Sequence, residues 1–279
     1  MNIQSLFDVK GKVVLVTGGS RGIGLLIARG YVENGAKVYV SSRSEKVCDQ
    51  VAKELTKLGP GEAISIPADL QKLSEVKRLG SELKKREESE CILLLKKKFI
   101  SFPLHVLINN AGAAWGAKFD EYPDEAFEKV INLNLKRVFS LTQELVPLLE
   151  KSATPLDPAR VINIGSIDGL RVSTNESYAY AASKAALHHL TRVMAGQLTS
   201  SRLITFNVIA PGPFESKMMA HTLRTRGEVI KDSNPLKRIG SPEDIVGTCI
   251  YLSSRAGAYT NGALIVVDGG TLVNPYSKI

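Results

Sequence analysis

The sequence predicts an α/β fold: a single doubly wound domain over residues 1–279, with a parallel sheet of about seven strands and helices on both faces. Two observations predict it. Short β-branched runs alternate with longer helical stretches along the whole chain, with neither an internal repeat nor a linker between them. The first run, Val13-Val14-Leu15-Val16-Thr17, leads directly into a glycine-rich turn and an apolar helix. That is the order of a buried parallel strand crossing to its neighbour.

Composition narrows the function classes. With 44% hydrophobic and 23% charged residues the chain has an ordinary globular balance. No apolar run approaches the roughly 20 residues that span a bilayer, so no membrane association is expected. The start, Met1-Asn2-Ile3-Gln4-Ser5, lacks the basic and apolar regions of a secretory signal. Cys48, Cys91 and Cys249 are widely spaced and form neither a CxxC pair nor a cluster with the four histidines. No metal is therefore expected, and free thiols point to a reducing, cytoplasmic setting. The net charge is +8, but apart from Lys84-Lys85-Arg86 and Lys96-Lys97-Lys98 the basic residues are scattered. They read as solvated helix faces rather than a nucleic-acid surface, with some pull on anionic substrates.

After the first strand, Gly18-Gly19-Ser20-Arg21-Gly22-Ile23-Gly24 opens a helix through about Glu33. Glycines there let a ligand approach the backbone, and the helix N-terminus offers N–H groups to a pyrophosphate. The strand Lys37–Ser41 ends in Ser41-Ser42-Arg43, without the carboxylate that would accept from a ribose 2′-hydroxyl. Arg43 and Arg21 can instead pair with a 2′-phosphate, which favours NADPH over NADH, or they are simply solvated. A helix from about Glu45 to Leu58 precedes the strand Ala63–Pro67. Asp69, before Leu70, either meets an adenine or caps the helix beginning near Ser74.

Residues 84–103 read as an atypical insertion, a loop lying away from the sheet's C-terminal edge. The strand Val106-Leu107-Ile108 ends in Asn109-Asn110-Ala111-Gly112, small enough for a cofactor to pass close by. Trp115 and Phe119 either line an apolar pocket or pack in the core. A helix follows from about Asp124 to Glu150, and Asn134 is an unfavourable residue in its middle. The strand Arg160–Ser166 brings Ser166 to a strand C-terminus, where open α/β sheets place their active sites. Tyr180 and Lys184 sit one turn apart on a helix from about Glu176 to Leu198, so an ammonium is expected to lower the pKa of the phenol. Pro211 and Gly212 stop the strand Ile204–Ile209. Residues 213–235 read as a mobile substrate lid of short helices, in which Phe214, Met218 and Met219 suit an acyl chain. Ser241 and Pro242 start a further helix, and Leu264–Val267 is the last strand.

Taken together, Thr17-Gly18-x-x-x-Gly22-Ile23-Gly24, Asn109-Asn110-Ala111-Gly112, Asn134, Ser166, Tyr180-x-x-x-Lys184 and Pro211-Gly212 resemble the short-chain dehydrogenase/reductase family, from about Phe7 to Gly270. The segments Asn109–Ala117, Ala159–Ser166, Ser183–His189 and Asn207–Phe214 look most like the rhamnolipid-type 3-oxoacyl-(acyl-carrier-protein) reductases and their fungal relatives. The resemblance implies a Rossmann fold, NADP(H) as cofactor, and a homodimer or homotetramer built on two long helices. It implies that Tyr180 is the general acid and that Lys184 tunes it and binds ribose. Ser166 would hold the substrate oxygen and Asn134 a water of a proton relay. It further implies a cofactor groove of Gly18, Ser20, Arg21, Gly22, Ile23, Gly24, Arg43, Asp69, Leu70, Asn110, Ala111, Gly112, Tyr180, Lys184, Pro211, Gly212 and Ser216. Ser216 replaces the usual Thr, and residues 84–103 exceed the usual length. Tyr178 has Ala182 one turn on and is not the acid; His188 and His189 read as packing or interface residues. The implied activity is reduction of a ketone, either a 3-oxoacyl thioester or a free small molecule of secondary metabolism. The non-enzymatic alternative is a dinucleotide-binding scaffold.

Overall fold

The computed structural model describes residues 2–95, 104–173, 175–216 and 219–274; for 88–95 and 221 only the backbone is described. Seven strands form one sheet: β1 (Val13–Thr17), β2 (Lys37–Ser41), β3 (Glu62–Ser65), β4 (Val106–Asn109), β5 (Ala159–Ile164), β6 (Ile204–Pro211) and β7 (Leu264–Val267). Their order is β3-β2-β1-β4-β5-β6-β7 and every pairing is parallel. The order reverses between β1 and β4, which opens a crevice at the C-terminal ends of those strands.

The near-continuous apolar runs of β1, β4 and β5 follow from burial on both faces. Alternate β1 residues serve opposite cores. Val13 and Leu15 join one cluster with Leu79 and Leu83 of α4 (Leu73–Leu95), Leu141 and Leu145 of α6 (Arg137–Ser152), and Met194 of α7 (Tyr178–Arg202). Val14 and Val16 join the other with Ile27 of α2 (Gly22–Glu33), Val51 of α3 (Glu45–Thr56), and Ile245 and Leu252 of α9 (Pro242–Ser253). A short helix, α1 (Ile3–Leu6), precedes β1. Helix α9 begins as expected: the Ser241 and Asp244 side chains each accept from the other's end of the first turn, with Pro242 at its start.

Three expectations need correction. The segment after Lys84 is no loop as far as Leu95, because α4 continues through it. Glu87 anchors that extension: it is buried, and its Oε1 accepts from Lys37 Nζ at 2.6 Å and from Tyr39 Oη at 2.5 Å. Lys96–Pro103 lies outside the described residues. The helix across Asn134 is not continuous either. It is α5 (Asp124–Ile131), then a π-turn over Asn132–Lys136, then α6. Finally, the described residues of 213–235 hold one regular helix, α8 (Ala220–Ser233), and Phe214 is buried in the core cluster with Ile245 and Cys249, its edge lining a cavity with Leu236 and Arg238. A Cβ on Gly240 would fall on the Phe214 ring, so the two pack without a gap. Met218 lies outside the described residues; Met219 precedes α8 and is half-buried.

Candidate active site

The glycine turn between β1 and α2 is shaped by Gly18 and Gly22, which take φ of +64° and +52°, where a side chain would be strained. Gly24 packs so closely that a Cβ would fall on the Gly18 carbonyl. Arg21, the residue before α2, makes no side-chain cap, and the first turn holds no acidic residue. The N–H groups of Gly22, Ile23 and Gly24, in the first turn of α2, thus have no intrahelical acceptor, which suits an anion.

Asn110 locks this turn to β4. Its Nδ2 donates to Thr17 O at 2.9 Å, and its N–H and that of Ala111 both donate to Thr17 Oγ1 at 3.0 Å. Thr17 is the hub that sequence reasoning quoted without assigning a role. Gly112 stands beside Asn134, whose Oδ1 a Cβ there would approach to 3.2 Å. Across the groove, Gly212 packs on Asp268, so tightly that a Cβ would sit 2.8 Å from the Asp268 side chain. Pro211 closes β6 beside it. Ser216 lies against Gly22, and its hydroxyl accepts from Met219 N–H at 3.2 Å.

Beside the C-terminal end of β2, Ser20 Oγ donates to Ser42 Oγ at 2.9 Å, and Ser42 Oγ meets Cys48 Sγ at 2.9 Å. Burial pushes the Cys48 thiol up, so it stays protonated. Arg21 and Arg43 are exposed on either side, and neither has an ion-pair partner among the described residues. Ser42 was not foreseen as part of this corner. Asp69 makes a local turn, accepting from Gln71 N–H at 3.2 Å, and the Leu70 side chain is in the core.

The four residues expected to be catalytic come together at the C-terminal ends of β4 and β5. Asn134 owes its place to the π-turn, a distortion frequent at functional sites. Its Oδ1 accepts from Ala113 N–H at 2.8 Å, and its Nδ2 donates to Ala113 O at 2.9 Å and to Ser183 Oγ at 3.0 Å. Both amide protons are therefore committed to holding the loop after β4 and helix α7. Ser183, which sequence reasoning missed, also donates to Tyr180 O at 2.7 Å. Lys184 is 5% exposed; its Nζ donates to Ile164 O at 2.7 Å and lies 5.6 Å from the centre of the Tyr180 ring. Burial lowers its pKa to about 8.

The Tyr180 hydroxyl lies beside Ser166, two residues past the end of β5. The expectation that Lys184 lowers the phenol is corrected here. Burial dominates and pushes Tyr180 up to about 12, with the Ser166 bond opposing and Asp168 adding to the rise. At neutral pH the phenol is a held, protonated acid. Tyr178 is different: it is exposed on the outer side, in edge-to-face contact with Phe119 and Tyr122, at 5.7 Å between centroids in each pair. Trp115 (45% exposed) and Phe119 (74%) are not core residues. Among the described residues there is no group of His, Cys, Asp or Glu arranged to hold a metal.

The short chain dehydrogenase family model matches residues 12–227. The chain belongs to the short-chain dehydrogenase/reductase family. It is 42% identical over 266 residues to the rhamnolipids biosynthesis 3-oxoacyl-[acyl-carrier-protein] reductase of Pseudomonas aeruginosa, covering 95% of this chain and 97% of that one. It is 33% identical to the short-chain dehydrogenase/reductase PhomF of Diaporthe leptostromiformis, covering 98% and 95%. Among solved structures it is similar to the Pseudomonas aeruginosa RhlG/NADP active-site complex, with a TM-score of 0.86, 41% identity, and coverage of 97% and 99%. Members of this family are oxidoreductases, so this short-chain dehydrogenase/reductase carries the fold and activity class that its motifs imply.

Proposed function

We propose that this short-chain dehydrogenase/reductase is an NADP(H)-dependent carbonyl reductase, acting between a ketone and a secondary alcohol, with a 3-oxoacyl thioester as the substrate class. The observation that carries the reading is a protonated Tyr180 beside Ser166, with the buried Lys184 Nζ 5.6 Å from its ring, next to the glycine turn. When bound, the nicotinamide supplies or accepts the hydride. The chain supplies the rest. Ser166 and Tyr180 hold the substrate oxygen between two hydroxyls, where negative charge develops. Tyr180 gives that oxygen its proton. The Lys184 ammonium then faces the phenolate and offsets its charge. Asn134 fixes α7 and the loop after β4 around this set.

Gly22, Ile23 and Gly24 would hold the pyrophosphate, and Arg21 and Arg43 the 2′-phosphate. Ser20, Asp69, Leu70, Asn110, Ala111, Gly112, Pro211, Gly212 and Ser216 form the rest of the groove. Residues 213–235 would serve as the substrate lid, and 84–103 would be an atypical insertion. The exposed Phe139 on α6 and Val193 on α7 support a homo-oligomer through these helices. Among the described residues, no helix is long and apolar enough to cross a membrane, which is compatible with a cytoplasmic enzyme.

The test is cofactor oxidation by the purified protein, comparing NADPH with NADH on 3-oxoacyl thioesters and free ketones. NADPH-dependent turnover that Tyr180→Phe removes is the expected result. Tight NADPH binding without turnover on any ketone would replace the reading with the scaffold role.

A further inference from the structure

His188 lies one turn after Lys184 on α7, is 4% exposed, and has no role in the chemistry above. Its Nε2 accepts from Ser166 N–H at 3.4 Å. The reason that this N–H needs a partner lies in the sheet. Gly165 N–H donates to Ile209 O on β6 at 2.7 Å, so Gly165 faces β6, and its neighbours Ile164 and Ser166 face the opposite side, toward β4. However, β4 pairs with β5 only as far as Asn109 and Asn163. Beyond that point the Ile164 carbonyl and the Ser166 N–H have lost their strand partner, and a buried backbone group without one is costly.

Helix α7 supplies both substitutes. Lys184 Nζ donates to Ile164 O, and His188 Nε2 accepts from Ser166 N–H. Two side chains one turn apart thus do for β5 what the next residue of β4 would have done. The imidazole has a fitted slot: a Cβ on Gly165 would fall on Nε2, and one on Gly169 would come within 2.7 Å of Cε1. Only a neutral ring with an unprotonated Nε2 can accept. Burial, Lys184 and Arg192 keep it neutral, with a pKa near 4. The proton then sits on Nδ1, which is buried without a partner. A ring placed for packing alone would have no need of that arrangement.

We infer that His188 is a positioning residue, which extends the β5 ladder by one bond and so fixes the Ser166 hydroxyl against Tyr180. The consequence for activity rests on the proposed reductase reading; the hydrogen bond does not.

Two measurements separate them. The first is nitrogen NMR of the imidazole in the full-length protein at pH 7. The expected result is a bare Nε2, a protonated Nδ1, and a Ser166 amide signal that shifts in His188→Leu but not in His188→Gln. Gln is the conservative variant because its Oε1 lies as many bonds from Cβ as Nε2 does. A protonated Nε2, or a Ser166 amide indifferent to both variants, overturns the inference whatever the enzyme does. The second is turnover with NADPH. His188→Leu should lower kcat about tenfold with KM and NADPH affinity within twofold of wild type, and His188→Gln should restore most of kcat. Equal loss in both variants, or none in His188→Leu, overturns it. Absence of turnover in the wild type defeats the reductase reading and leaves the NMR test standing.

Discussion

The two edges of the sheet each bury a cation and treat it in opposite ways. At the N-terminal edge, Arg160 is 1% exposed and meets a carboxylate and two carbonyls. It lies 2.6 Å from Asp157 and donates to Ser254 O at 2.8 Å and Leu252 O at 3.4 Å, while Lys12 reaches the same carboxylate at 2.8 Å. Burial alone would raise Asp157, but Lys12 and Arg160 hold it below its ordinary value, so the Arg160 charge has an ionised carboxylate beside it. At the C-terminal edge, Lys184 meets one carbonyl and, among the described residues, no carboxylate. Its charge is left uncompensated, and its pKa drops to about 8. The first arrangement braces α9 against β5. The second keeps a charge available for a negative group that forms only during a reaction.

The comparison is broken most directly at Tyr180 and Lys184. Tyr180→Phe should lower kcat by about 10²–10⁴-fold with the melting temperature nearly unchanged. Lys184→Met should lose activity on a similar scale yet gain stability. The native lysine loses its proton near pH 8 and the unfolded one near 10.5, so charging it at neutral pH works against the folded state. A net gain of about 0.5–2 kcal/mol in denaturant unfolding at pH 7, the relieved charge less the Ile164 carbonyl left without its donor, shrinking as pH rises from 8 to 10.5, is the expected profile. Equal stability at all pH would mean that Lys184 is compensated after all.

Arg160→Met should do the reverse: it leaves Asp157 with Lys12 alone and the Leu252 and Ser254 carbonyls without their donor, and costs about 1–3 kcal/mol of stability, while kcat of the folded fraction stays within about twofold of wild type. Arg21→Ala and Arg43→Ala should each cut the preference for NADPH over NADH about tenfold, with no effect on melting without cofactor. A smaller effect comes from His105, at the braced edge, which is neutral down to about pH 4 because of burial and Lys12. The unfolded state takes up its proton near 6.5, so melting temperature should fall as pH drops from 6.5 to 4. His105→Gln should flatten part of that slope.

Much of this was legible in the sequence because it is local. The strands β1, β2 and β7 read directly from β-branched runs, and the capping of α9 from Ser241, Pro242 and Asp244. The Tyr180–Lys184 spacing survives because both lie on one regular helix. What was not legible depends on atoms distant in sequence. The unfavourable Asn134 signalled that something was needed there, but the π-turn appears only once Ala113 and Ser183 supply its partners. The high pKa of Tyr180 comes from burial, which helical spacing cannot reveal. The burial of Phe214 depends on Gly240, which closes against its ring from well along the chain.

The strand order also bears on how freely the chain can change. Pairing β1 with β4 joins Thr17 to Val106 through β2, β3 and α4, so that connection is already a long polymer loop. Loop-closure entropy grows only with the logarithm of length, by about 0.6 kcal/mol per doubling. Lengthening such a crossover by a quarter therefore adds a few tenths of a kcal/mol. The same insertion between Ser166 and Tyr180, where the connection is short and its ends are fixed by hydrogen bonds, would change a far larger fraction of the loop. Evolution can thus write new length into the chain between Glu87 and β4 almost without thermodynamic consequence, as long as Glu87 keeps Lys37 and Tyr39.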